Sequence, residues 1–156
     1  MKDSFDKIVN AYNPDASLAD ALTIPAAWYT DERIFDLEQK TVFSCSWQFA
    51  ARADQLERAG DYVTAEIARE PIVIVRGNDN ALRGFFNVCR HHAAAVMTEP
   101  AGRAPQMRCP YHGWTYSLEG ELKGTPDFSE VCNLIAREMD CCRWKLLYGK
   151  SGGSPE

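Results

Sequence analysis

Histidine is scarce in this chain, and long apolar runs, an excess of positive charge and repeated sequence are absent. Only three histidines occur in 156 residues, beside six cysteines. No apolar stretch approaches the roughly 20 residues that a membrane-spanning helix needs. The opening residues, Met1 to Lys7, include two acids and lead into no apolar run of signal-peptide type, and they are equally unlike an Arg-rich, acid-poor transit peptide. The expectation is a cytoplasmic protein. A net charge of −5 argues against nucleic acid and against an anionic membrane surface as partners. The cysteine spacing shows no disulfide framework, which suits a reducing compartment. What remains is the ordinary composition of one soluble domain, 46% apolar and 25% charged, long enough to bury a modest core.

Two of the histidines and two of the cysteines fall into a pattern. Cys89-Arg90-His91 and Cys109-Pro110-Tyr111-His112, seventeen residues apart, each place one thiolate and one imidazole on a short turn. Two thiolates and two neutral imidazoles are the donor set of a [2Fe–2S] cluster with one sulfur-ligated and one nitrogen-ligated iron. Formally, two ferric ions and two sulfides carry two positive charges, which the two thiolates cancel. Reduction then leaves a single negative charge, whereas four thiolates would leave two more. Imidazole ligation therefore raises the potential, to roughly −150 to +300 mV against about −400 mV for plant-type ferredoxins. The competing reading of Cys89, His91, Cys109 and His112 is a structural Cys₂His₂ zinc site. Zinc sites usually open with C-x₂₋₄-C and close with H-x₃₋₅-H, whereas each turn here mixes the two ligand types. Simple core packing is the third reading, and turns flanked by Pro110 and Gly113 argue against it. His92 lies outside the four-residue pattern and is expected to pack or to hydrogen-bond within its loop.

The residues around these turns, Asn87-Val88-Cys89-Arg90-His91-His92 and Arg108-Cys109-Pro110-Tyr111-His112-Gly113-Trp114-Thr115-Tyr116, resemble the two cluster loops of the Rieske non-haem iron oxygenases. The upstream pattern Ile24-Pro25, Trp28-Tyr29-Thr30-Asp31, Phe35, Glu38, Phe43 and Trp47 is similar to the N-terminal lead of the oxygenase α subunits, choline monooxygenase-like enzymes in particular. The resemblance runs from about residue 24 to 133 and departs from the family at His92-Ala93, where many members carry Arg-Gly. It implies one [2Fe–2S] cluster held by Cys89, His91, Cys109 and His112. It also implies single-electron transfer, and an electron-donating reductase or ferredoxin as partner. Trp114, Tyr111 and Pro110 are expected to shield the cluster from water. The high-potential members carry an extra cysteine in each loop, and Ala94 and Tyr111 stand at those positions here, which implies the lower-potential branch.

The pattern along the chain predicts a mainly β fold: a small antiparallel Rieske-like β domain with two cluster-binding loops, a short N-terminal helix and a candidate C-terminal helix. Residues 1–23 read as an irregular arm, 24–133 as the Rieske domain, and 134–156 as a divergent tail, helical and then disordered. Thr30 is the expected cap of a helix carrying Ile34, Leu37 and Val42. Trp47 to Ala51 reads as a first strand. The alternation from Asp61 to Ile67 predicts a half-buried strand, and Ile72-Val73-Ile74-Val75 a second strand started after Pro71. Gly77 to Asn80 is a turn, with Leu82 to Val88 returning as hairpin partner. Short strands are expected at Gln106–Cys109, Trp114–Leu118 and Glu121–Lys123. Val131, Leu134, Ile135, Met139 and Cys142 keep helical spacing behind Ser129.

The family's oxygen chemistry uses a mononuclear iron held by two histidines and a carboxylate. With two histidines committed to the cluster, one is left, so mononuclear Fe(II) is not expected in this chain. The expectation is the Rieske portion of an oxygenase, a truncated product unable to hydroxylate alone. It would pass electrons to a terminal oxygenase domain or a neighbouring subunit. A stand-alone Rieske ferredoxin-type carrier is the alternative, and a zinc-binding module the third.

Overall fold

The computed structural model describes residues 3–126, which fall into two compact units divided along the chain between Gln48 and Phe49. The first is helical. α1 (Phe5–Val9) starts at Ser4, whose hydroxyl accepts the Lys7 N–H at 3.3 Å. α2 (Ala26–Thr30) leads into α3 (Glu32–Glu38), and a single π-turn over Gln39–Phe43 ends the run. The Trp28 indole N–H donates to the Ile8 carbonyl at 2.9 Å and meets Tyr12 edge-on, tying α2 to the residues around α1. Ile8 and Ile34 are buried, while Leu18, Leu22, Tyr29 and Trp47 stay exposed.

Three details differ from the pattern-based expectations, the last of them where the chain passes into the second unit. The arm over residues 1–23 contains α1, because Ser4 and Asp6 supply a cap and a favourable first-turn charge. The cap of α3 is Asp31, whose carboxylate accepts the Arg33 N–H at 3.0 Å. The Thr30 hydroxyl instead donates back to the Ala26 carbonyl at 3.2 Å, closing α2. Trp47 to Ala51 forms no strand. Trp47 and Phe49 are exposed, and Ala50 and Ala51 pack beside the buried Leu56, Val63, Ile72 and Ile74 without joining a ladder.

The second unit is built from two antiparallel sheets. β1 (Asp61–Ile67), β2 (Glu70–Arg76), β3 (Leu82–Phe86) and β4 (Ala101–Arg103) form a four-stranded sheet in the order β3-β2-β1-β4. β5 (Met107–Arg108), β6 (Thr115–Tyr116) and β7 (Leu122–Gly124) form a three-stranded sheet in chain order. This is the mainly β, antiparallel architecture that the alternation predicts. Pro71 lies inside β2 opposite Glu66, and its carbonyl accepts the Asn87 N–H at 2.7 Å. Its missing donor is tolerated this close to the strand end.

β2 explains the core. Its four consecutive β-branched residues are all buried because both faces of the sheet are covered. Ile72 and Ile74 pack with Leu56 and Val63 on one face. Val73 and Val75 pack on the other with Tyr62, Phe85, Met107, Trp114, Tyr116 and Leu118, in the cluster that also holds Cys89 and Cys109. Gly120, at φ +98°, must lack a side chain, since a Cβ there would lie 2.6 Å from the Phe85 ring. No helix among the described residues is long and apolar enough to cross a membrane. The expected C-terminal helix and tail lie outside the described residues.

Candidate metal centre

Both candidate turns close in the same way. In the first, the Cys89 N–H donates to the Ala94 carbonyl at 2.8 Å, and the Cys89 carbonyl accepts the Ala93 N–H at 2.9 Å. In the second, the Cys109 N–H donates to the Trp114 carbonyl at 2.8 Å, and its carbonyl accepts the Gly113 N–H at 3.0 Å. Each is therefore a six-residue loop that starts on its cysteine, with a left-handed residue in fifth place: Ala93 at φ +58° and Gly113 at +76°. β3 leads towards turn one, while turn two joins β5 to β6.

The closure places sulfur inward and nitrogen outward. Cys89 and Cys109 are each 2% exposed, within one apolar cluster. His91 and His112 are half-buried, their ring centroids 4.6 Å apart. Trp114, buried, stacks on His91 at 4.7 Å with the two planes only 2° apart, which fixes the orientation of that imidazole. Burial first, and then the neighbouring His92 and His112, hold His91 below its usual pKa. That favours the neutral ring, the form that binds metal.

The two expected cysteines thus share one apolar cluster and the two expected histidines one edge, while the ligand atoms that converge most closely among the described residues are those of His91, His92 and His112. The expected shielding falls mainly to Trp114: Tyr111, against His112 at 3.8 Å, is 66% exposed, and Pro110 is exposed as well. His92, expected to pack or to hydrogen-bond in its loop, is exposed, with its ring 3.9 Å from His91. Cys45 is exposed, and among the described residues Cys45, Cys89 and Cys109 are all free.

Two supporting residues carry roles that spacing alone does not assign. The Asn87 side chain, buried, donates to the Met97 carbonyl at 2.7 Å and accepts the Val96 and Met97 N–H groups at 3.1 and 2.8 Å, pinning the far end of turn one. The only signal in the sequence is a polar residue set between the apolar β3 and Cys89. The Tyr116 phenol oxygen accepts the Arg90 N–H at 3.0 Å and lies 3.4 Å from Cys89 Sγ. Burial foremost, followed by the Cys89 contact, raises its pKa, so the phenol keeps its proton and can donate it to sulfur.

Residues 46–135, more than half of the chain, match the family described as the Rieske [2Fe-2S] domain. The chain belongs to this family. It is 41% identical over 118 residues to the carnitine monooxygenase oxygenase subunit of Escherichia coli K12, covering 76% of this chain and 32% of that one. The chloroplastic choline monooxygenase of Arabidopsis thaliana is 35% identical over 133 residues, covering 85% of this chain and 31% of the relative. Among solved structures, the quaternary ammonium Rieske monooxygenase CntA in complex with L-carnitine superposes with a TM-score of 0.74 at 32% identity, covering 83% of this chain and 38% of that chain. The chain spans about a third of the length of these curated relatives. It is a Rieske-type [2Fe–2S] domain with an electron-transfer role within an oxygenase-type system. The donors fit that cofactor: two thiol groups in the core and, beside them, imidazoles held towards the surface.

Proposed function

We propose that Cys89 and Cys109 ligate one iron and His91 and His112 the other, with one cluster per chain. When bound, such a cluster takes up and gives back a single electron. The chain's own residues set the terms of that exchange. The two cysteines keep the sulfur-ligated side in the core, where Trp114, Met107 and Tyr116 exclude water. His91 and His112 bring the nitrogen-ligated side towards the surface, each with a second ring nitrogen that can hydrogen-bond a partner. The donor is a reductase or ferredoxin. The acceptor is a mononuclear-iron oxygenase centre, in a terminal oxygenase domain or a neighbouring subunit. Relatives named for carnitine and choline support a quaternary ammonium compound as the substrate of that centre. The setting is cytoplasmic.

The observation that carries this reading is the pair of identically closed turns that bring both cysteines into one core and both histidines to one edge. The test is elemental analysis and EPR of the 156-residue protein. The expected result is a red-brown protein with two irons and two acid-labile sulfides, EPR-active only after reduction. A colourless protein that holds zinc on Cys89, His91, Cys109 and His112, and assembles no cluster, overturns it.

A further inference from the structure

The shared backbone closure changes which histidines correspond. Counted from its cysteine, turn two has His112 in fourth place, two residues before Trp114, whose carbonyl closes the loop. In turn one the residue in fourth place, two before Ala94, is His92; His91 corresponds to Tyr111. The two turns therefore present an imidazole at the same backbone position, and turn one adds a second. The rings converge: His92 lies 3.9 Å from His91 and 5.4 Å from His112. One ring nitrogen from each of the three lies within 4.8 Å of the others.

We propose that His91, His92 and His112 form a mononuclear site for a divalent transition cation, zinc above all, in the chain that has not received its cluster. Three neutral nitrogens with no carboxylate suit zinc, copper or nickel and not magnesium or calcium. Tetrahedral zinc needs its nitrogen ligands at about 2.0–2.1 Å, which puts them roughly 3.4 Å apart. Small rotations of the exposed His92 and the half-buried His112 towards His91, which Trp114 holds in place, close that gap, and solvent takes the fourth position. His92 belongs to the zinc set alone, while His91 and His112 serve both metals. Zinc and cluster therefore exclude each other, and zinc must leave before the cluster assembles. The exclusion rests on the ligand assignment above; the zinc site itself does not.

The test uses the full 156-residue chain, prepared without cluster, and zinc titrated against a chromophoric chelator. One zinc per chain is expected, retained in the Cys89→Ser/Cys109→Ser double variant. His92→Ala should weaken binding by well over tenfold, since losing even an outer-shell partner of a ligand costs roughly 10–100-fold. Zinc that follows the two cysteines and ignores His92 overturns the proposal. A second measurement covers a cluster-free chain that does not fold. Cluster assembly is followed by its visible absorption with zinc added. His92→Ala should load the same two irons and two sulfides as the parent yet tolerate at least about tenfold more zinc, by the same ligand-loss argument. Equal sensitivity of parent and variant also overturns the proposal. If no variant takes up a cluster, the Rieske ligand assignment fails, and the zinc titration still decides the site by itself.

Discussion

Turn two sits at the tip of a hairpin, with Arg108 of β5 and Thr115 of β6 paired directly beneath it. Turn one has no such ladder among the described residues. Asn87 holds its two ends together through three side-chain hydrogen bonds, and the Tyr116 phenol holds its shoulder at Arg90. Turn two places glycine at the left-handed position, and turn one places Ala93 there, which costs roughly 1–2 kcal/mol for an L-residue. The same backbone closure is reached by two routes, a strand pair in one case and side-chain clamps working against local strain in the other. Turn one should therefore respond to changes in its clamps, and turn two to changes in its backbone.

Loss of a thiolate abolishes that distinction and gives the largest effect. Cys89→Ser and Cys109→Ser should each lose the cluster, with iron and labile sulfide falling to background. A variant that kept both at the parent level would remove its cysteine from the ligand set. Asn87→Ala strikes turn one alone. It strands the buried Val96 and Met97 N–H groups and the Met97 carbonyl, and an unsatisfied buried group costs about 1–3 kcal/mol. The expected loss is about 3 kcal/mol in chemical unfolding of the loaded protein. A cost within the range of an ordinary surface change, about 0.5 kcal/mol, would show that turn one does not depend on this clamp.

The legible parts of the molecule are those whose physics is local. Ligand chemistry singles out Cys89, His91, Cys109 and His112 as the proposed ligands, and alternation with β-branching identifies β1, β2 and β3. The hairpin between β1 and β2 is another matter, because Ala68 and Arg69 both have positive φ, a turn usually built from Asn or Gly. β4 is three exposed residues without apolar alternation, and only its pairing with β1 makes it a strand. Asn87 acts on residues nine and ten positions ahead, which no local pattern reports. The equivalence of His92 and His112 is hidden because C-x-H and C-x-x-H count from the cysteine to a ligand, while the fold counts to the closing carbonyl.

The left-handed position gives a test with opposite signs. Gly113→Ala forces an L-residue to φ +76° and brings its Cβ to 3.2 Å from the Arg108 guanidinium, for an expected cost of about 1–2 kcal/mol. Ala93→Gly relieves similar strain, and the greater freedom of glycine in the unfolded chain offsets about 0.4–1 kcal/mol of the gain. The net should be a small stabilisation, on the order of 0.5 kcal/mol. Unfolding midpoints of the two loaded variants that move in the same direction would contradict the equivalence of the turns.

A further test crosses between the turns. Tyr116 follows turn two in sequence but bonds to turn one, so Tyr116→Phe removes a donor from the Cys89 sulfur and an acceptor from the Arg90 N–H. A donor to a ligating sulfur favours the reduced, more negative state, and its removal should lower the potential. One net hydrogen bond is worth about 1 kcal/mol, and a tenfold change in a one-electron equilibrium is about 59 mV, so the shift should be roughly 40 mV downward. A redox titration followed by EPR reads it directly. Iron and sulfide content should stay at the parent level, because Tyr116 is not a ligand. An unchanged potential in a fully loaded variant would mean that the phenol serves the backbone of turn one and leaves the sulfur alone.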